Sequence, residues 1–348
     1  MSSAIQQAIH NLSRNVTVDG ELAGRVAVEI LEGQATPAQI GAFLVALRIR
    51  GETAEQLGAF IKAMRTYATP VDLPDREFLV DTCGTGGDGS GSFNISTAAA
   101  IVAAGAGAKI AKHGNRAVTA GTGTGSADAL GALGVKIDCA PETSVRCVAE
   151  CGLAFFFAPA YHGAMRHAGP ARREIGVRTI LNLLGPLANP AGTMRQLIGV
   201  GMAEMTETFA EVLSALGADH VMVVHGSDGL DEITLTGPTR VTEYTHESLR
   251  TFELDPEDLG LKRCHLEELK GGETAEARAR EILEILEGRP GPKRTITELN
   301  AAAALIVGAR AKDFADGLAL AREAIESGAA RSVLERLITI SNAEVART

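Results

Sequence analysis

Up to about residue 68, apolar positions recur only at helical spacing. In TPAQIGAFLVALRIRG, residues 36 to 51, Ile40, Phe43, Leu44 and Leu47 fall on one face of a 3.6-residue repeat. Thr36 and Gln39 stand where the two halves of a capping box belong, Pro37 takes the first helical position, and Gly51 stops the helix. TAEQLGAFIKAMRTYA, residues 53 to 68, repeats the device, with Thr53 and Gln56 as caps and Leu57, Phe60, Ile61 and Met64 as the stripe. Two short, separately capped helices cannot bury both stripes alone. They need a partner, either the rest of the chain or a second copy.

TPVDLPDRE, residues 69 to 77, breaks the pattern with two prolines and reads as a linker. Beyond it, short β-prone runs alternate with helical ones. Strands are expected at 78–81, 109–112, 135–137, 154–157, 197–201 and 220–225, and helices at 98–104, 141–151 and 204–216. From about residue 274 the chain is mostly helical, and the Ala-rich LNAAAALIVGARA reads as a buried helix. The predicted fold class is α/β: a small N-terminal all-helical domain, residues 1–72, and a large α/β domain, residues 76–348, with a mainly parallel central sheet. In such sheets ligands gather at the carboxyl ends of the strands.

Composition narrows the function classes. With 348 residues, 45% of them apolar, the chain can bury a core large enough for two domains. A net charge of −10 argues against nucleic acid as a partner, because a phosphate backbone demands clustered Lys and Arg. Five cysteines without paired spacing fit a reducing compartment better than a disulfide framework. The N-terminal stretch lacks the basic start and apolar run of a signal peptide. No apolar run approaches the roughly 18 residues of a membrane span. A cytoplasmic protein without membrane partners is expected.

The densest chemistry lies in DTCGTGGDGSGSFNIST, residues 81 to 97, which holds five glycines between Gly84 and Gly91. Gly84, Gly86 and Gly89 satisfy G-x-G-x-x-G after a strand, but a dinucleotide fold also wants an acid roughly 20 residues on to hold the ribose. Here Lys112 and His113 end the next strand instead. A P-loop needs Gly-Lys-Ser/Thr, and Gly91 is followed by Ser92. What survives is a strand-to-helix glycine turn whose backbone N–H groups approach phosphate closely, aided by the helix N-terminus and by Asn94, Ser96 and Thr97. The same composition also suits a plain Gly-Ser connection with an ordinary cap. Lys112, His113, Asn115 and Arg116 in KHGNRA then offer donors beside the loop.

Two further groups stand out. Asp231 and Glu232, in HGSDGLDEIT after an apolar strand, are hard oxygen ligands suited to Mg²⁺, or else an acidic turn facing solvent. YHGAMRHAGPARREIGVRTILNLLGPLANP, residues 161 to 190, carries Arg166, Arg172, Arg173 and Arg178 with two histidines. It offers a guanidinium clamp for a carboxylate, or a solvated helix face.

Taken in order, the helical start, DTCGTGGDGSGSFNIST, KHGNRAV, GSADAL, RHAGPARREIGVRTILNLLGPLANPAG and DGLDE resemble the anthranilate phosphoribosyltransferases, of the nucleoside phosphorylase-like phosphoribosyltransferase fold. The resemblance implies transfer of the phosphoribosyl group of 5-phosphoribosyl-1-pyrophosphate (PRPP) to anthranilate, with release of pyrophosphate, in tryptophan synthesis. It also implies a homodimer formed through the N-terminal helices, which part of residues 162–186 would join. Carried over by position, Gly84, Thr85, Gly87 and Asp88 make the PRPP loop, and Ser92, Asn94, Ser96, Thr97 and Lys112 hold its phosphates. Two Mg²⁺ per subunit fall to Ser96, Asp231 and Glu232. Gly84, His113, Asn115, His162 and Arg172 receive anthranilate, Arg172 at its carboxylate. Lys112, Arg172, Asp231 and Glu232 then carry catalysis through charge and positioning. Two departures lie beside the aromatic pocket: the stretch between Arg116 and Gly125 is about two residues longer and richer in glycine than the family's, and Gly163 stands where proline is common. A pyrimidine nucleoside phosphorylase and a non-catalytic nucleic-acid-binding relative of the same fold are the alternatives.

Overall fold

The computed structural model describes residues 2–74, 76–86, 88–116 and 124–343. Four helices come first: α1 (Ala4–Ser13), α2 (Gly20–Leu31), α3 (Pro37–Arg50) and α4 (Ala54–Thr66). Each opens on a side-chain oxygen, of Ser3, Asp19, Thr36 and Thr53, that accepts a first-turn backbone N–H otherwise lacking a partner. The glutamines of the expected capping boxes, Gln39 and Gln56, complete them. Gln56 also donates to the carbonyl of Val18 (2.7 Å), tying α4 to the α1–α2 connection. Phe43 and Phe60 stack with ring centroids 6.1 Å apart. The stripes of α3 and α4 do find their partner in the rest of the chain. They share one core with Ala168, Ala171, Ile180 and Leu187 of the returning 168–188 segment and with Ile198, Val221 and Val223 on one face of the sheet.

The sheet has seven strands: β1 (Leu79–Gly84), β2 (Lys109–Gly114), β3 (Leu153–Phe157), β4 (Arg195–Gly199), β5 (His220–Gly226), β6 (Thr239–Thr245) and β7 (Ser248–Leu254). Their order is β3-β2-β1-β4-β5-β6-β7, with the first five parallel and the last two an antiparallel hairpin. Helix α5 (Ile95–Gly105), which follows β1, is buried along almost its whole length among Pro292–Val307, Phe314–Glu326 and Ala329–Asn342. Its run of alanines lets those helices approach closely. Among the described residues no helix is long and apolar enough to cross a membrane.

Two expectations about strands need correcting. Residues 135–137 form no strand, although Val135 and Ile137 are buried. The Val135 N–H closes the preceding helix by donating to the Leu130 carbonyl, and the Lys136 N–H donates to Ser341 Oγ, so two of the N–H groups a ladder would draw on are taken. Conversely, β6 and β7 escape a reading based on hydrophobicity. The buried positions of β6 include Thr239, Thr242 and Glu243, which are satisfied by polar partners: Thr242 Oγ1 lies 2.9 Å from Thr206 Oγ1, and Glu243 meets His220 and Arg250. Most of β7 faces solvent.

Candidate functional site

β1 and β2 pair through their backbones only at Leu79↔Lys109 and Val80↔Ile110, after which side chains fill the fork between them. Asp81 Oδ1 accepts the His113 N–H (3.0 Å), Lys112 Nζ donates to the Thr82 carbonyl, and Asn189 Nδ2 donates to the Ala111 carbonyl (2.8 Å). Backbone groups that a ladder would have paired are thus paired by side chains. Burial pulls the Lys112 ammonium below its ordinary pKa, with Asp81 the foremost charge opposing it. Burial also pushes the Asp81 carboxyl up to about 6. Lys112 Nζ reaches Ser96 Oγ at 3.2 Å, which points its charge at the N-terminus of α5.

The glycine loop lies over the same strand ends. Gly86, Gly89 and Gly91 take φ of +62°, +73° and +67°, a region in which a Cβ is strained. Asp88 orders this loop locally: its carboxylate accepts the Ser90 hydroxyl (2.7 Å) and the Ser90 N–H (3.2 Å). Arg178 pins the loop from the far side by donating to the carbonyls of Gly86 (2.6 Å) and Thr85 (3.1 Å). Gly87 lies outside the described residues, as does the 117–123 part of the longer glycine-rich stretch.

Asp231 and Glu232 arrive from the loop after β5. Asp228 braces that loop, accepting the hydroxyls of Thr234 and Thr236, each at 2.7 Å. Asp231 Oδ2 accepts the Gly86 N–H (2.7 Å), and Glu232 Oε1 accepts the Ser96 N–H (3.0 Å), so the pair reaches both the glycine loop and the first turn of α5. A Cβ at Gly84 would lie 2.5 Å from Asp231 Oδ2. Desolvation raises both carboxyl pKa values; the charge of Asp88 adds to the first and that of Asp231 to the second.

Lys112, Ser96, Asp88, Arg178, Asp231 and Glu232 line one cleft of about 480 Å³, together with Ser92, Asn94, Thr97, His113 and Asn115. Asn94 does not cap α5: its Nδ2 donates to the Thr124 carbonyl, and among the described residues its buried Oδ1 has no partner, nor does Thr97 Oγ1. The His113 ring faces the Gly185 carbonyl through Nδ1 (3.0 Å), which makes Nδ1 the donor and leaves the buried Nε2 a bare acceptor. Burial first, then the nearby His162, pushes the His113 pKa down to about 3. The two imidazoles meet edge to face with centroids 5.3 Å apart. His162 and Arg172 stand outside the wall of this cleft. Arg172, on the helix Gly169–Ile175, is half-buried, and among the described residues no hydrogen bond or ion pair to its guanidinium is found. Asp81 and Arg278, whose Nη1 donates to the Ser92 carbonyl (2.6 Å), support the site without having been singled out in the sequence, and Arg178, one of the four arginines noted there, meets backbone carbonyls of the glycine loop. Asp81 and Arg178 sit inside the quoted motifs, but Arg278 carries no local signal.

Residues 6–68 match the helical bundle domain of the glycosyl transferase family, and residues 76–331 match its a/b domain. Fold and cleft therefore define the class: a glycosyl transferase with an α/β body behind a helical bundle. Among curated relatives, the anthranilate phosphoribosyltransferase of a Bradyrhizobium species (strain BTAi1) is 49% identical over 338 residues, 97% of this chain and 99% of the relative. That of Rhizobium meliloti is 51% identical over 320 residues, 92% and 93% of the two chains. The solved enzyme of Thermus thermophilus superposes with a TM-score of 0.90 at 41% identity, covering 98% of this chain and 100% of that one. The Saccharomyces cerevisiae enzyme in complex with PRPP and Mg gives 0.88 at 28%, covering 98% of each. The chain belongs to the anthranilate phosphoribosyltransferase family.

Proposed function

We propose that the cleft at the ends of β1 and β2 binds PRPP and that Arg172 presents anthranilate to it. The chain transfers the 5-phosphoribosyl group to the anthranilate amine, giving N-(5′-phosphoribosyl)anthranilate and pyrophosphate, a step of tryptophan biosynthesis. The observation that carries this reading is convergence: a buried ammonium, a helix N-terminus that its own N-cap residue leaves uncapped and two crowded carboxylates share one cavity.

The anilinic amine is neutral near pH 7, so the difficulty lies in the leaving group. Cleavage builds negative charge on pyrophosphate, which Lys112 and the N–H groups of the loop and α5 stabilise. The carboxylates would repel that charge unless a cation lies between. The donor set fits Mg²⁺: two carboxylates with the Ser96 hydroxyl are hard oxygen donors that leave room for waters and substrate phosphates. When bound, Mg²⁺ neutralises charge on the departing pyrophosphate. Ser96, Asp231 and Glu232 would hold it, two ions per subunit. Neutral His113, with Nε2 bare, offers an acceptor beside the fork, and His162 stands edge-on to it. Positioning by Arg172 raises the effective concentration of the amine.

A homodimer through the N-terminal helices, in the cytoplasm, completes the proposal. A groove of about 1120 Å³ bounded by α1, α2, α4 and the helix Met205–Ala215 supports the first part.

Mixing the protein with PRPP, Mg²⁺ and anthranilate should abolish anthranilate fluorescence. Persistent fluorescence, with phosphorolysis of a pyrimidine nucleoside in the absence of Mg²⁺, would favour the nucleoside phosphorylase alternative. The double variant Asp231→Asn/Glu232→Gln should lose Mg²⁺-dependent turnover; wild-type rates in it would sink the metal assignment.

A further inference from the structure

We infer that Asn300 is a positioning residue for the acidic pair, acting through the peptide groups of Ile233, the residue that follows Glu232. The inference rests on the role proposed above for Asp231 and Glu232.

Asn300 lies in the middle of the helix Pro292–Val307 and is fully buried. Its Oδ1 accepts the Ile233 N–H (3.0 Å), and its Nδ2 donates to the Ile233 carbonyl (2.9 Å) and to Ile296 O (2.9 Å). One side-chain amide therefore gives Ile233 both hydrogen bonds that a neighbouring strand would have given it. Nothing in the helix calls for asparagine there. The neighbours Leu299, Ala301, Ala302, Ala303, Ala304 and Leu305 are all fully buried, and asparagine is a poorer helix former than any of them. An apolar residue would suit the helix but would strand a buried N–H and C=O on Ile233.

The clamp has a counterpart in β4. A Cβ at Gly199 would fall 1.6 Å from the Asp231 carbonyl oxygen, so the backbone of the pair is pressed against β4 at Asp231 and tied to Asn300 at Ile233. Between these stops the carboxylates reach Gly86 and Ser96. Groups that orient metal ligands from behind typically cost about ten- to a hundredfold in affinity when removed.

The test measures binding rather than turnover. Asn300→Asp keeps the shape and loses both Nδ2 donors; Asn300→Ser removes them with less bulk; Leu305→Ala, on the same helix, removes packing only. Titration calorimetry with Mg²⁺ and PRPP, without anthranilate, should show affinity down about tenfold or more in both Asn300 variants. Hydrogen exchange at the Ile233 amide should accelerate in parallel. Leu305→Ala should lower Tm while leaving affinity within about twofold of wild type. Whichever Asn300 variant retains the wild-type circular dichroism decides the matter. Wild-type affinity in that variant, or an equal loss in Leu305→Ala at matched Tm, overturns the clamp. If Asp231→Asn/Glu232→Gln binds Mg²⁺ and PRPP as tightly as wild type, it is the role of the pair that fails.

Discussion

Gly199 and Asp231 touch backbone to backbone, so closely that β4 has no room for a side chain where it passes beneath the acidic loop. Gly199→Ala should therefore destabilise the protein by about 3 kcal/mol, the upper range for overpacking, because the obstructing atom is a carbonyl oxygen rather than a pliant side-chain end. Urea titration measures the loss. Affinity for Mg²⁺ and PRPP should fall with it, and a variant with unchanged stability would show that the loop has slack.

Asp81 is the foremost charge holding the buried Lys112 protonated. In Asp81→Asn the carboxamide can still accept the His113 N–H, but burial then pulls the lysine pKa further down. The alkaline limb of kcat/KM for PRPP should move to lower pH. A profile scaled down at every pH, without that shift, would assign Asp81 to folding alone.

His113 contributes an acid-labile share of the core's stability. Its folded pKa of about 3 lies below the ordinary 6.5, so from about 6.5 downwards the unfolded chain binds a proton that the folded one refuses. Stability present above that pH is lost as the pH falls towards 3, by up to about 1.4 kcal/mol per pH unit. Asp81, raised from 3.8 to about 6, works the other way over that interval, as do Asp231 and Glu232, whose carboxyls burial also raises. His113→Gln should leave a curve of unfolding free energy against pH that, below 6.5, falls less or rises more towards acid than that of the wild type. An unchanged slope would mean that the ring is not held neutral.

Arg172→Ala should raise KM for anthranilate by roughly ten- to a hundredfold, the worth of hydrogen bonds to a charged group at roughly 1.5–3 kcal/mol. KM for PRPP should change much less. Equal rises in both would argue against a carboxylate clamp at that position.

Much of this was legible in the chain because it depends on local rules. Thr36-Pro37 and Thr53 announce helices through bonds made within one turn, and the glycines after β1 announce a turn through their own backbone freedom. Lys112 followed from its place at the end of the next strand. Where a residue's meaning depends on a distant partner, the sequence is silent. Asn300 reads as an odd polar residue in an alanine helix until Ile233, 67 positions away, is set beside it. Arg278 reads as a surface arginine until its guanidinium is seen at Ser92. Thr242 and Glu243 hide β6 for the same reason: burial of polar side chains is legible only once their partners are in place.

The fork between β1 and β2 has a consequence for how this enzyme can drift. A sheet paired to its end would close over the very gap that Asp81, Lys112 and Asn189 fill. Substitutions that strengthen strand pairing there would yield a sturdier protein with its ammonium crowded out. Selection for activity and selection for a regular sheet pull in opposite directions at these few residues.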